Sequence, residues 1–344
     1  MSHLPDTFVP GFHDEEAVRK MEYRELGNTG LRVSKLAFGT GVFSYFYGQG
    51  TLEEWKAALH AAIKSGINFI DTGPWYGHGE SEEALGYCLQ GIPRKAYYMA
   101  TKVGRYEADL KKRFDFSAKK TKESIELSLK RMQLDYVDLL QVHDVEFAPS
   151  IDVILNETLP TVAEIVQSGK VKHIGITGYP VSVLAEIVEK STVKIETILS
   201  YTRLTLIDHT LVDFLPQFQG LGVINAAVNG MGLLSSYGTM DWHPAQQHIK
   251  DVCKEARDYC VAQNVELGKL AVYYSLQQSG PHTTLVGINN LKVLNCNLDV
   301  LHNGLNDKEK EVLKYLQNNV FNKLEKNCNW ENVEVNEYKK AIQS

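Results

Sequence analysis

The sequence predicts an α/β protein whose eight strands and intervening helices close into a (β/α)8 TIM barrel. Three observations predict it. From Leu36 to Leu301, short apolar runs alternate with stretches of helical periodicity, the order expected of parallel βα units. The strands number eight, the count that closes such a barrel. No G-x-G-x-x-G follows the first strand, although that fingerprint normally opens the doubly wound sheet, the runner-up architecture.

Met1 to Met21 is a polar extension; residues 22–344 form one domain. Tyr23–Leu26 and Leu31–Ser34 flank Gly27-Asn28-Thr29-Gly30, a hairpin signal that fits a plug over the N-terminal end of a barrel. Leu36-Ala37-Phe38 is a buried strand leading to Gly39-Thr40-Gly41. Thr51 and Glu54 have capping-box spacing. Trp55, Ala58, Leu59, Ala62 and Ile63 then share a helix face that Gly66 ends. After the strand at Phe69, Ser81 is a candidate N-cap for a helix near Glu82 to Leu89. A strand at Tyr97–Thr101 precedes a helix opened by Ser117, with Ile125, Leu129 and Met132 on one face, and then a strand at Tyr136–Val142. Thr158, with Pro160 in the first turn, opens a helix ended by Gly169. Strands at Val171–Ile176, Ile195–Leu199, Val223–Ala227 and Thr284–Val286 alternate with further helices to Leu301. Beyond Asp307 comes a C-terminal helical extension, a short helix with a polar tail.

Composition narrows the function. The 344 residues carry a net charge of -6, which gives no general attraction to nucleic acid or an anionic membrane. No apolar run approaches the ~20 residues of a membrane helix, and the N-terminus lacks the apolar stretch of a signal peptide. Five scattered cysteines, Cys88, Cys253, Cys260, Cys296 and Cys328, contain no Cys-x-x-Cys pair, so neither a metal site nor a disulfide framework is expected. Cys253 and Cys260, seven apart, read as one buried helix face. A cytoplasmic protein is the expectation.

The chemistry gathers at Phe69-Ile70-Asp71-Thr72-Gly73-Pro74-Trp75-Tyr76-Gly77. Asp71 ends a short buried strand, and Tyr76 lies on the loop leaving it. Lys102 and His143 end the next two strands. All four therefore fall at the C-terminal end of consecutive βα units, where α/β proteins place their chemistry. Each alone is more often structural: a strand-end aspartate caps or pairs, and a histidine satisfies a neighbour. Together they have a use. A lysine beside a tyrosine lowers its pKa, an aspartate holds the lysine charged, and a histidine orients a substrate oxygen.

On these residues the chain resembles the aldo-keto reductases. The family's catalytic Asp, Tyr, Lys and His fall on Asp71, Tyr76, Lys102 and His143. The resemblance runs from about Glu22 to Leu301 and is nearest to the L-galactose dehydrogenase branch. That branch has similar stretches to Gly104-Arg105-Tyr106, Phe114-Asp115-Phe116-Ser117, Gly175-Ile176-Thr177-Gly178, Ile198-Leu199-Ser200-Tyr201 and Trp242-His243-Pro244-Ala245.

The resemblance implies a nicotinamide cofactor, NAD with NADP as the alternative, extended over the barrel mouth. Gly39, Thr40, Gly41 and Asp71 would lie beside it. Thr177 and Gly178 stand where the family commonly has Ser-Asn, Ser200 where it has Gln, and Ala226 where many members have a stacking aromatic. Gly287, Ile288, Asn289, Val293 and Asn297 match the adenosine-phosphate loop, with Asn297 as the adenine contact. Trp75, Tyr76, His143 and Trp242 are candidate substrate contacts; Tyr201, Asn225, Asn229 and His243 could supply further polar partners. The implied reaction is oxidation of an L-galactose-type aldose to a lactone. A general carbonyl reductase is one alternative; a cofactor-binding barrel serving a partner, like the potassium-channel β subunits, is another. The expected partner is a small sugar or carbonyl compound, and the expected state a monomer or weak homo-oligomer.

Overall fold

A computed structural model of the chain describes residues 4–44 and 50–343; the first three residues of the polar extension lie outside that range. Eight parallel strands close a barrel: β3 (Leu36–Gly39), β4 (Phe69–Asp71), β5 (Tyr98–Val103), β6 (Val137–Val142), β7 (Val171–Gly178), β8 (Thr197–Tyr201), β9 (Gly222–Ala226) and β10 (Thr283–Gly287). β10 pairs with β3 to close the ring. Before them, β1 (Tyr23–Glu25) and β2 (Arg32–Ser34) form an antiparallel hairpin.

The hairpin is the plug that the sequence predicts. Leu26, Leu31 and Val33 pack in one cluster with Ala37, Phe69, Ala100, Leu139, Leu199, Ile224 and Leu285. These barrel residues define the inward-facing row, and alternation along each strand then assigns the face of every neighbour. Gly27, at φ 55°, turns against the backbone of Leu221 and Gly222, where a Cβ would come within 2.3 Å of Gly222 N. A larger second cluster fills the space between the barrel and its helices.

Helix signals hold where they are local. Thr51 and Glu54 form both bonds of a capping box on helix Leu52–Lys64. Ser117 caps helix Ala118–Met132. Cys253 and Cys260 lie buried on one face of helix Gln247–Ala262. Two signals mislead. Ser81 is not a cap, since its helix begins at Glu80 after Gly79 in a left-handed conformation. Its hydroxyl instead donates to Thr40 O at 2.7 Å and lies 3.1 Å from the Thr72 hydroxyl, tying the ends of β3 and β4 together. Thr158 does not open a helix either. Helical backbone starts at Ile151 and reaches helix Leu159–Gln167 through a wide turn at Ile154–Thr158. That turn accommodates Pro160, which has no N–H to give.

Within residues 4–343, the stretches near both ends pack against the rest of the molecule. The extension forms helix Glu15–Lys20, capped by Asp14, and Asn68 Nδ2 donates to the buried Thr7 hydroxyl at 3.0 Å. At the other end, Trp330 stacks on Tyr179 with centroids 5.2 Å apart, and Glu331 pairs with the buried Arg203 at 2.8 Å. The polar tail of the sequence reading is thus anchored to the loops after β7 and β8, and helix Val333–Gln343 ends it.

Candidate active site

Strand alternation aims the functional groups. Asp71, Lys102 and Gln141 each follow an inward-facing residue by two positions, and Lys102 sits in register with Gln141 on the adjacent strand. All three therefore point into the barrel near its C-terminal mouth. Lys102 is fully enclosed. Its ammonium donates to Asp71 Oδ1 and, at 2.7 Å, to Thr72 O. Gln141 Nε2 donates to the other carboxylate oxygen, Asp71 Oδ2, at 2.7 Å.

Tyr76 arrives on a tight turn. Its N–H donates to Gly73 O at 3.1 Å, and Gly77 and His78 follow with φ 62° and 55°. A Cβ on Gly77 would lie 2.5 Å from that of Ser44, so the turn needs glycine there. Gly41 lies under the tyrosine ring, where a Cβ would sit 3.5 Å from Cδ1. The Lys102 ammonium is 4.9 Å from the ring centroid, and its charge favours the phenolate. The His143 ring stands edge-on to Tyr76, centroids 5.9 Å apart. The four tetrad residues, dispersed over 73 positions of sequence, form one cluster.

The electrostatics correct one expectation. Part of the Tyr76 surface still meets solvent, yet burial is the largest influence on its hydroxyl and pushes its pKa above the ordinary value. Lys102 pulls downward, as the sequence reading requires, while Asp71 pushes upward. The net direction is therefore up, because desolvation outweighs one ammonium. Burial also works against the Lys102 charge, but the Asp71 carboxylate and Tyr76 overcome it and hold the lysine above its ordinary range. His143, desolvated and facing Lys102 and Arg105, is pushed down to about 3 despite Asp144, so it is neutral at ordinary pH.

Around this cluster Trp75 is buried under the Arg105 guanidinium, 4.0 Å from its centroid, and Arg105 pairs with Asp144 at 2.6 Å. Arg105, Asp144 and Gln141 belong to the site and were not singled out from sequence. Only strand register, which places Gln141 beside Lys102, could have found the last.

The sequence-derived cofactor positions divide. Thr177 and Ala226 face inward, whereas Gly178 and Ser200, paired in register, lie one residue off that row. Thr177 Oγ1 accepts from Asp144 N at 3.1 Å. Thr40 Oγ1 donates to Asp71 O at 3.1 Å and braces the ends of β3 and β4 between Gly39 and Gly41. Beyond β10, Gly287 is exposed and Ile288 buried. Asn289 accepts from Asn290 at 2.9 Å, and Asn290 caps helix Leu291–Asn303 through Val293 N. The Ser200 hydroxyl and the Asn297 amide nitrogen are buried without hydrogen-bond partners. Of the sugar-contact candidates, His243 is occupied by backbone, at 3.0 Å from Gly230 O. Asn225 donates to Leu204 O at 3.1 Å. Trp242 stays 46% exposed, beside His243.

Comparisons with known proteins identify the family of this barrel. Residues 35–317 match the model of the aldo/keto reductase family. The chain is 41% identical to L-galactose dehydrogenase of Arabidopsis thaliana over 277 residues, 79% of this chain and 85% of that one. It is 31% identical to D-arabinose 1-dehydrogenase of Saccharomyces cerevisiae, covering 84% and 91%. An aldo-keto reductase of Bacillus halodurans, solved in its holo form, superposes with a TM-score of 0.68 at 27% identity, covering 86% and 96%. The chain belongs to the aldo/keto reductase family, the NAD(P)-dependent oxidoreductases built on this barrel. No helix among the described residues is long and apolar enough to cross a membrane.

Proposed function

We propose that the enzyme oxidises an L-galactose-type aldose at its anomeric carbon, giving a lactone, with Tyr76 as general acid/base. The observation that carries this reading is the joined Asp71–Lys102–Tyr76 network with a neutral His143 against the tyrosine ring. The relatives named for oxidising L-galactose and D-arabinose support the substrate class.

Tyr76 takes the proton of the substrate hydroxyl in oxidation and returns it in reduction. Lys102, kept charged by Asp71 and Thr72 O, stabilises the phenolate that results. His143, being neutral, can donate to the substrate oxygen and fix its angle without adding charge. Trp75 and its Arg105 cover wall one side. A bound nicotinamide cofactor supplies the hydride acceptor. The residues present fit it: Ser200 and Asn297 each offer an unpartnered buried polar atom, and Gly39, Gly41, Gly178 and Ala226 are further proposed contacts. Thr40, Thr177, Gly287, Ile288, Asn289 and Val293 complete the proposed contact set. Among the hydroxyls of a cyclic sugar the anomeric one oxidises most readily, because the ring oxygen stabilises positive charge as hydride departs.

Product analysis tests the proposal. Incubation with NAD and L-galactose, L-fucose, D-arabinose or D-glucose should yield lactone from at least one. No lactone, together with brisk reduction of simple aldehydes, would make the protein a general carbonyl reductase.

A further inference from the structure

We infer that Gln141 is a positioning residue of this centre, whose amide fixes the Asp71 carboxylate and thereby governs how readily Tyr76 gives up its proton. The inference rests on the acid/base reading of Tyr76 and deepens it.

The interior of such a barrel is normally filled by branched apolar side chains. Gln141 interrupts that pattern on β6 and is fully buried, which is costly for an amide unless it is bonded. Its bond reaches past β5 to Asp71 on β4, at 2.7 Å. The orientation is fixed by chemistry: a carboxylate only accepts, so only the amide nitrogen can face it. Lys102 and Gln141, in register on neighbouring strands, thus hold one oxygen each of the same carboxylate. The next strand makes room for the glutamine. Gly175 is its register partner on β7, and a Cβ there would sit 3.1 Å from Gln141 Cγ and 2.3 Å from Thr197 Oγ1.

Asp71 has two opposed effects. It keeps Lys102 charged, and it opposes ionisation of Tyr76 directly. An N–H on Oδ2 draws negative charge away from the tyrosine and stops the carboxylate from turning off Lys102. Without that donor, Oδ2 is left buried and unpaired, and Tyr76 faces a stronger negative field.

The test compares wild type, Gln141→Met, Gln141→Glu, Tyr76→Phe and the double variant Tyr76→Phe/Gln141→Met. The substrate is the sugar found by product analysis or, failing that, 4-nitrobenzaldehyde with NADH. Melting curves check folding, and quenching of protein fluorescence by NAD reads cofactor affinity. In Gln141→Met, NAD affinity should stay within about twofold, and kcat should fall by on the order of tenfold. The Tyr76-dependent limb of the pH profile should move alkaline by on the order of half a unit. Gln141→Glu, nearly isosteric, should move it further. The Gln141→Met shift should not survive in the Tyr76→Phe background. A Gln141→Met or Gln141→Glu enzyme that folds and keeps the wild-type pH limb overturns the inference. If Tyr76→Phe itself retains wild-type turnover, the acid/base reading has failed instead.

Discussion

At the ends of β4, β5 and β6 the buried charges are paired with one another. Lys102 grips Asp71 and Thr72 O, Gln141 takes the second Asp71 oxygen, and Arg105 holds Asp144. Around the ends of β8, β9 and β10 the pattern is different. The Ser200 and Thr202 hydroxyls, the Asn225 amide oxygen and the Asn297 amide nitrogen are buried without partners. A buried unsatisfied polar group costs ~1–3 kcal/mol, and folded proteins rarely keep several in one place without a use. The contrast teaches a division of labour. Unpartnered buried atoms occur in both halves of the mouth, Gln141 Oε1 and His143 Nδ1 among them in the first. The halves differ in that the first ties its charges to one another, whereas the second presents neutral polar groups.

The largest effect should come from breaking the charge-paired half. Lys102→Met strands the Asp71 carboxylate inside the barrel. Removing one partner of a buried pair costs ~3–5 kcal/mol, so the melting temperature should drop sharply. Any surviving pH profile should shift alkaline, because Lys102 is what lowers the Tyr76 pKa. A variant with wild-type stability and profile would mean that the pair matters to neither.

Tyr76→Phe should remove only the proton-transfer group. Turnover should fall by about 10²-fold or more, with NAD affinity nearly unchanged. Retention of more than about a tenth of wild-type turnover, against that expectation, would show that Tyr76 is not the acid/base.

His143 gives a smaller effect with a defined sign. Its folded pKa is pushed to about 3, below the ~6.5 of an unfolded histidine. Between those values the unfolded chain binds more protons, so stability falls as pH drops from about 6.5 towards 3. This group alone contributes up to about 1.4 kcal/mol per pH unit. His143→Gln should flatten that slope in urea unfolding measured at pH 7, 6 and 5. An unchanged slope would show that His143 is not held neutral.

The smallest effect concerns the neutral polar half. A ribose 2′-phosphate needs Lys or Arg within reach. Gly287, Asn289 and Val293 offer none, and Lys292 points to solvent. NAD should therefore be preferred over NADP moderately, by kcat/KM. A lower KM for NADP at equal or higher turnover would reverse the preference.

Much of this molecule is readable from local pattern. The alternation of apolar runs and helical stretches produced the barrel, and the Thr51–Glu54 spacing produced a real capping box. The grouping of Asp71, Tyr76, Lys102 and His143 followed as well, because each lies at or just beyond the C-terminal end of a strand, and those ends of parallel units gather on one face. Cap signals failed where tertiary contact competes for the side chain. Ser81 bonds to Thr40 and Thr158 Oγ1 to Phe116 O at 2.6 Å, both far away in sequence.

The sequence by itself determined the order of elements and put forward the four candidate reacting groups, because periodicity and position near strand ends are local properties. The tertiary structure decided three further matters. It gave Gln141 its partner, since register across β4, β5 and β6 appears in no single segment. It anchored the C-terminal tail, since the bond from Trp330 N to Tyr179 Oη at 3.0 Å joins residues 151 apart. It also set the direction of the Tyr76 pKa, because desolvation sums over everything packed around the hydroxyl, whereas sequence reasoning saw only the nearby lysine.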